Sequence, residues 1–96
     1  MRSKTGWDVL ENEILEEQAA TIGRLSRELR KALDALAAVD DRQDPQRLRL
    51  VDAAAYALFN FVVQRECSGL HGTEHVLKQY GVPAEVRARM GVTKLR

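Results

Sequence analysis

Between Asp8 and Val39 the chain reads DVLENEILEEQAATIGRLSRELRKALDALAAV, with no proline and a single glycine. Apolar residues, or residues that an apolar helix face can accept, recur along this segment at alternating steps of three and four. This spacing is typical of a helix that packs along another helix. These residues are Leu15, Gln18, Ile22, Leu25, Leu29, Ala32, Leu36 and Val39. The pattern predicts one helix over residues 8–39, with Thr5 or Asp8 as its N-cap.

A second long helix is predicted after a polar connector that ends at Asp44-Pro45. Aspartate can accept hydrogen bonds from the free amides of a first turn, and proline lacks the amide that such a turn leaves unused. The helix should end at Cys67, because Gly69 can adopt the left-handed conformation that commonly follows a last turn. The expected range is therefore 45–67.

Two short helices should follow, over residues 73–80 and 83–90. Thr73 is the expected N-cap of the first, and Gly81 and Gly91 follow the last turns of the two helices. With 96 residues, 45% of them hydrophobic and 30% charged, the chain has the size and composition of one globular domain. We expect an all-α fold in one domain over residues 1–96, an antiparallel hairpin of two long helices with two short C-terminal helices.

The predicted first helix is too long for the domain that carries it. Its 32 residues would span roughly 48 Å, whereas a compact chain of this length has a diameter of about 32 Å. The second helix cannot cover all of the apolar stripe, and an uncovered stripe of this size usually marks an interface. We therefore expect a homodimer whose interface contains Ile14, Leu15, Gln18, Ile22, Leu25 and Leu29.

The charges of this helix suggest a dimer register, because acidic residues lie in its first half and basic residues in its second. Two antiparallel copies aligned about Ala20 would bring opposite charges together. The resulting pairs would be Glu17–Arg24, Glu13–Arg27 and Glu11–Arg30. An alternative explanation is the helix dipole, which favours acids early and bases late in a monomer as well.

Cys67, His71 and His75 are spaced by four residues and form a weak candidate for a metal site. Gly69 and Gly72 interrupt the helix between them, so the spacing does not place the three side chains on one face. The same residues could be imagined as a nucleophile and base, but nothing supplies an orienting third group. We expect no cofactor, and an enzyme is not favoured.

A DNA-associated regulator is the second functional hypothesis. The two short helices around Gly81 superficially resemble a helix-turn-helix motif, and the C-terminal segment is basic through Arg87, Arg89, Lys94 and Arg96. However, Arg87 stands where the second helix of that motif usually carries an apolar residue. The net charge of +1 also gives no bulk attraction to nucleic acid. Binding of nucleic acid is therefore not expected.

The sequence predicts a cytoplasmic protein that does not bind membranes. Cys67 is the single cysteine, which fits a reducing compartment. Residues 1–8 lack the apolar run of a secretory signal, and the apolar segment 53–63 is too short to cross a bilayer.

The run from Val63 to Leu70, VQRECSGL, followed by YGVPAEV from Tyr80 and by Met90-Gly91, resembles a family of short bacterial proteins of unknown function. The resemblance implies an all-helical bacterial protein and carries no activity. Arg65 and Glu66 are the polar residues to examine at the junction after the second helix, and an ion pair or cap there is the simpler interpretation.

The leading functional hypothesis is a non-enzymatic, self-associating helical protein that acts through protein–protein interaction, with a second copy and an unidentified protein as partners. The DNA-associated regulator comes second. A metal-binding or enzymatic protein centred on Cys67, His71 and His75 comes third.

Overall fold

A computed structural model describes residues 6–94 and shows four helices and no strand within that range. The helices are α1 (Gly6–Ala37), α2 (Pro45–Cys67), α3 (Thr73–Tyr80) and α4 (Ala84–Lys94). The all-α prediction, with two long helices followed by two short ones, is confirmed.

Helix α1 begins and ends two residues earlier than the predicted range 8–39. Asp8 lies in its first turn rather than at the N-cap position, and Thr5 lies outside the described residues. At the other end, the amide of Ala38 donates to the carbonyl of Asp34, whereas that of Val39 donates only three residues back, to Leu36. Such tightening satisfies carbonyls that a helix end leaves free, and it explains why the helix stops before Val39.

Helix α2 has the predicted bounds because both of its ends are capped as its sequence requires. Asp44 Oδ1 accepts a hydrogen bond of 2.8 Å from the amide two residues ahead. At the far end, Gly69 has a φ of 74°, and the amides of Gly69 and Leu70 donate to the carbonyls of Glu66 and Arg65 at 3.0 Å. This pair of bonds is a Schellman motif, in which glycine takes the left-handed position without strain.

Helix α3 has the predicted range but a different N-cap, and helix α4 differs from the prediction at both ends, since it begins at Ala84 rather than at Pro83. Thr73 is the first residue of α3 and the preceding Gly72, with a φ of 75°, is its N-cap. Gly81, with a φ of 66°, closes α3 as expected. Helix α4, in contrast, continues through Gly91 to Lys94 instead of ending at Met90. The φ of Gly91 is not positive, so this glycine only costs the helix about 1 kcal/mol and does not stop it.

The core forms where α2 packs between α1 and α4. Its buried residues are Leu25, Leu29, Leu33, Leu36, Val51, Ala54, Ala55, Leu58, Phe61, Leu77 and Val86. All the α1 members of this set come from the second half of that helix. The two long helices therefore pack against each other near the α1–α2 connector, and α4 covers α2 from another side.

The first part of α1 extends beyond the rest of the fold. Every residue from Gly6 to Glu17 is exposed, and we call this segment the overhang. The protein measures 63 × 26 × 21 Å and has a radius of gyration of 16.9 Å, larger than the roughly 12–13 Å of a compact chain of this length. Within residues 6–94, no helix combines the length and apolar character that a membrane span requires.

Candidate interaction surface

The apolar stripe that α1 buries in the core continues along the overhang, where nothing covers it. At 3.6 residues per turn, the positions of Trp7, Ile14 and Leu15 fall on the same face of α1 as those of Leu25 and Leu29. The exposed fractions are 71% for Trp7, 47% for Ile14 and 56% for Leu15. One helix face is therefore core at its C-terminal end and open surface at its N-terminal end.

The residues predicted for the dimer interface divide into two groups along this stripe. Leu25 and Leu29 retain only 8% and 0% exposure, because α2 and the rest of the core cover them. Ile14 and Leu15 are exposed, and Gln18 and Ile22 are half-buried between the two groups. The sequence pattern placed five of them on one face and Ile14 on its flank, but α2 already occupies the second half of that face. Only the N-terminal part is open to a second chain.

An apolar groove of ≈ 500 Å³ lies beside the stripe, where the overhang meets the end of α2 and the side of α3. Its walls include Leu15, Ala19 and Ile22 from α1, Phe61 and Arg65 from α2, and Tyr80 from α3. Leu15 and Ile22 thus belong to the stripe and to the groove, so a single partner segment could contact both.

Tyr80 forms a rigid wall of this groove. Its ring packs edge to face on Phe61, with centroids 5.6 Å apart, and the Arg30 guanidinium carbon lies 4.8 Å from the Tyr80 centroid. The Tyr80 hydroxyl shares a hydrogen bond with the hydroxyl of Ser26, which joins α3 to α1. Aromatic and cation–π contacts of this kind hold a ring in one orientation.

Arg65 connects the end of α2 to the segment that follows it through side-chain hydrogen bonds. Its Nη2 donates to the His71 carbonyl at 2.8 Å and its Nε to the Thr73 hydroxyl at 3.4 Å. The guanidinium carbon also lies 5.9 Å from the Phe61 ring centroid. Glu66 is exposed, and no carboxylate within residues 6–94 forms an ion pair with Arg65. Arg65 therefore braces the connector while its positive charge borders the groove.

The predicted metal candidates are all exposed and lie on three different elements. Cys67 is the last residue of α2, His71 lies in the connector, and His75 is on α3. The His75 Nε2 is 3.3 Å from the side-chain nitrogen of Gln79. Among the described residues, no three His, Cys, Asp or Glu side chains form a group that could hold a metal ion.

Two of the basic residues considered for DNA binding, Arg87 and Arg89, have acidic partners inside the chain. Arg87 contacts both carboxylate oxygens of Glu74 at 2.6 Å, and Arg89 forms an ion pair with Asp52. The side chain of Lys94 and the whole of Arg96 fall outside the described part of the chain. These pairs connect α4 to α3 and α2, and they reduce the positive charge that α4 offers to a phosphate backbone.

Two arginines of the proposed Ala20-centred register also have partners within their own helix. Arg24 lies 3.1 Å from Glu28, and Arg30 lies 3.8 Å from Asp34. Arg30 is further held by the carbonyl of Tyr80 at 3.3 Å. Pairing with a second chain would therefore exchange one set of ion pairs for another.

The chain was also compared with known proteins. A search of curated proteins and a search of solved structures each found no match. The model of a family of unknown function, DUF6665, matches residues 1–95, so the resemblance to a family without an assigned function is confirmed. Because this match covers nearly the whole chain, the protein belongs to the family of unknown function DUF6665.

Proposed function

We propose that this protein is a non-enzymatic, self-associating helical protein of the cytoplasm, which acts through protein–protein interaction and uses the overhang to contact a second copy of itself. The observation that carries the proposal is the uncovered apolar stripe of α1, in which Trp7, Ile14 and Leu15 continue the core stripe beyond the end of α2. The free thiol of Cys67 fits a reducing compartment.

The free energies expected for apolar burial and for exposed ion pairs favour the apolar stripe, rather than the charges of α1, as the source of affinity between two copies. Burying one large apolar side chain contributes about 1.5–3 kcal/mol when it starts fully exposed. The three stripe residues are about half exposed or more, and a two-fold dimer counts each of them twice. An exposed ion pair contributes only about 0–1 kcal/mol, and two of the arginines already have partners.

The arrangement of the exposed apolar residues along one face also supports a partner rather than solvent on this face. Single exposed apolar residues are normal in soluble proteins, but contiguous patches usually mark contact sites. Here the stripe adjoins the groove beside Phe61 and Tyr80. A second copy is a suitable partner because it supplies an apolar helix of the same length and spacing.

Sedimentation equilibrium on the wild type and two variants tests this proposal. Leu15→Glu places a charge in the middle of the uncovered stripe and should shift the protein to a monomer at concentrations where the wild type is a dimer. Val9→Glu is the matched control, because Val9 is 45% exposed on the same overhang but lies on the opposite side of the helix. Circular dichroism should show equal helix content in all three.

A wild type that stays monomeric up to high micromolar concentration would contradict the proposal. Equal weakening by Leu15→Glu and Val9→Glu would contradict the stripe as the contact surface.

A further inference from the structure

We infer that the overhangs of two copies pack antiparallel, with Trp7 of each copy seated in the groove of the other. This inference rests on the proposed self-association and specifies its register and its principal contact. It follows from which part of the α1 stripe is open, from the position of the groove along that stripe, and from the chemistry of the groove walls.

The register follows from the limits of the open stripe. The usable positions start at Trp7 and end at Ile22, beyond which Leu25 belongs to the core. Two antiparallel copies cover this range when their two-fold axis passes between Ile14 and Leu15. Ile14 of each copy then meets Leu15 of the other, so the centre of the contact is apolar and self-complementary.

The remaining pairs of this register are also compatible. Trp7 falls opposite Ile22 of the second copy, and Glu11 falls opposite Gln18, whose amide can donate to a carboxylate. Glu13 points to the far side of α1. The register therefore buries no pair of like charges in the stripe.

The structure argues against the Ala20-centred register for this face. That alignment would set Leu15 of one copy opposite Leu25 of the other, and Leu25 is already 92% covered within its own chain, since only 8% is exposed. A second helix could reach Leu25 only by displacing α2. The alignment about Ile14 and Leu15 needs no such displacement.

The groove lies where this register delivers the indole of Trp7. Ile22, the residue opposite Trp7, lines the groove together with Ala19, Phe61 and Arg65. Its volume of ≈ 500 Å³ is within the range of pockets that enclose small organic groups. Phe61, only 2% exposed, closes the bottom of the groove. Arg65 borders it with a guanidinium that no carboxylate within residues 6–94 neutralises, which suits stacking on an electron-rich indole.

Trp7 is the only tryptophan in the chain and is 71% exposed in the monomer. Its fluorescence therefore reports directly on its environment. On concentrating the full-length protein, we expect the emission maximum to move to shorter wavelength along the same curve as the mass increase in sedimentation. Trp7→Ala should weaken self-association about tenfold or more, as is typical of a buried aromatic anchor.

A pair of neighbouring alanines separates the two registers. Ala19 and Ala20 are both exposed on α1, but only Ala19 lines the groove. Ala19→Arg should block the seat of Trp7, weaken the dimer about tenfold or more and leave Trp7 emission at its monomer wavelength. Ala20→Arg should leave both the dissociation constant and the emission shift unchanged.

The outcomes distinguish this inference from the proposed function. If the wild type dimerises but its emission does not shift, or if Ala20→Arg is the more damaging variant, self-association stands and the Trp7 contact is wrong. If the wild type remains a monomer throughout, the proposed function fails first.

Discussion

Arg47, in the first turn of α2, forms an ion pair with Glu85 in the first turn of α4. Its Nη1 also donates to the carbonyl of Val39 at 3.0 Å. The Arg47 side chain is only 15% exposed. One guanidinium thus connects the segment just after α1, the start of α2 and the start of α4. Because it is largely buried, water can compensate little for a lost partner.

Glu85→Gln should lower the free energy of unfolding by about 1–3 kcal/mol, because it leaves the charge of Arg47 largely buried without its carboxylate. Urea denaturation measures the effect. Glu28→Gln is the control, since it removes an exposed ion pair with Arg24 within α1 and should cost less than about 0.5 kcal/mol. Equal losses of unfolding free energy in the two variants would show that the burial of Arg47 does not add to the cost of losing its carboxylate partner.

Tyr80→Ala should destabilise the protein by about 2–4 kcal/mol, because it removes the ring that packs on Phe61 and under Arg30. Tyr80→Phe keeps the ring and loses only the hydroxyl bond to Ser26, so it should cost about 1 kcal/mol. Thermal unfolding of both variants separates the contribution of the ring to stability from that of the hydroxyl. Tyr56→Ala, at an exposed tyrosine of α2, should change stability little. A similar loss of stability there would contradict the stabilising role given to the Tyr80 ring.

Replacing each of two glycines by alanine should change the stability of the protein in opposite directions. Gly69 has a φ of 74°, so Gly69→Ala should lower stability by about 1–2 kcal/mol. Gly91 lies inside α4, and an added methyl group would meet no atom within 4 Å. Gly91→Ala should therefore raise stability by about 0.5–1 kcal/mol. Urea midpoints measured on the two single variants test the pair, and stabilisation by Gly69→Ala would refute the Schellman geometry.

Amide hydrogen exchange in the overhang should depend on protein concentration. In the monomer, no side chain within residues 6–24 is buried, so the helix around Ile14 should open readily and exchange fast. Packing against a second copy should slow exchange there, while amides around Leu58 in the core should exchange equally slowly at every concentration. Concentration-independent exchange around Ile14 would count against self-association through this segment.

Much of the architecture could be predicted because local signals agreed with the tertiary structure. Asp44-Pro45 and Gly69 set the two ends of α2 through hydrogen bonds to residues a few positions away. Gly91 misled the prediction because a glycine after a helical pattern does not reveal its own φ. Whether the chain turns or continues there depends on how α4 packs on α2, which nearby residues do not encode.

The candidate surface was only partly predictable for a related reason. Periodicity identified the stripe through Leu15, Ile22 and Leu25, but it could not show where along α1 the second helix stops covering it. The groove was missed altogether, since Phe61 and Tyr80 meet α1 from distant parts of the sequence. Pairs such as Arg47 and Glu85, 38 residues apart, likewise carry no signal in local spacing.

The shape of the monomer has a consequence for its motion in solution. A body of 63 × 26 × 21 Å experiences more friction than a sphere of equal mass. The monomer should diffuse slowly and elute from a sizing column ahead of globular proteins of 10.8 kDa. It should also tumble unequally about its long and short axes, so amides aligned with α1 should relax differently from those across it.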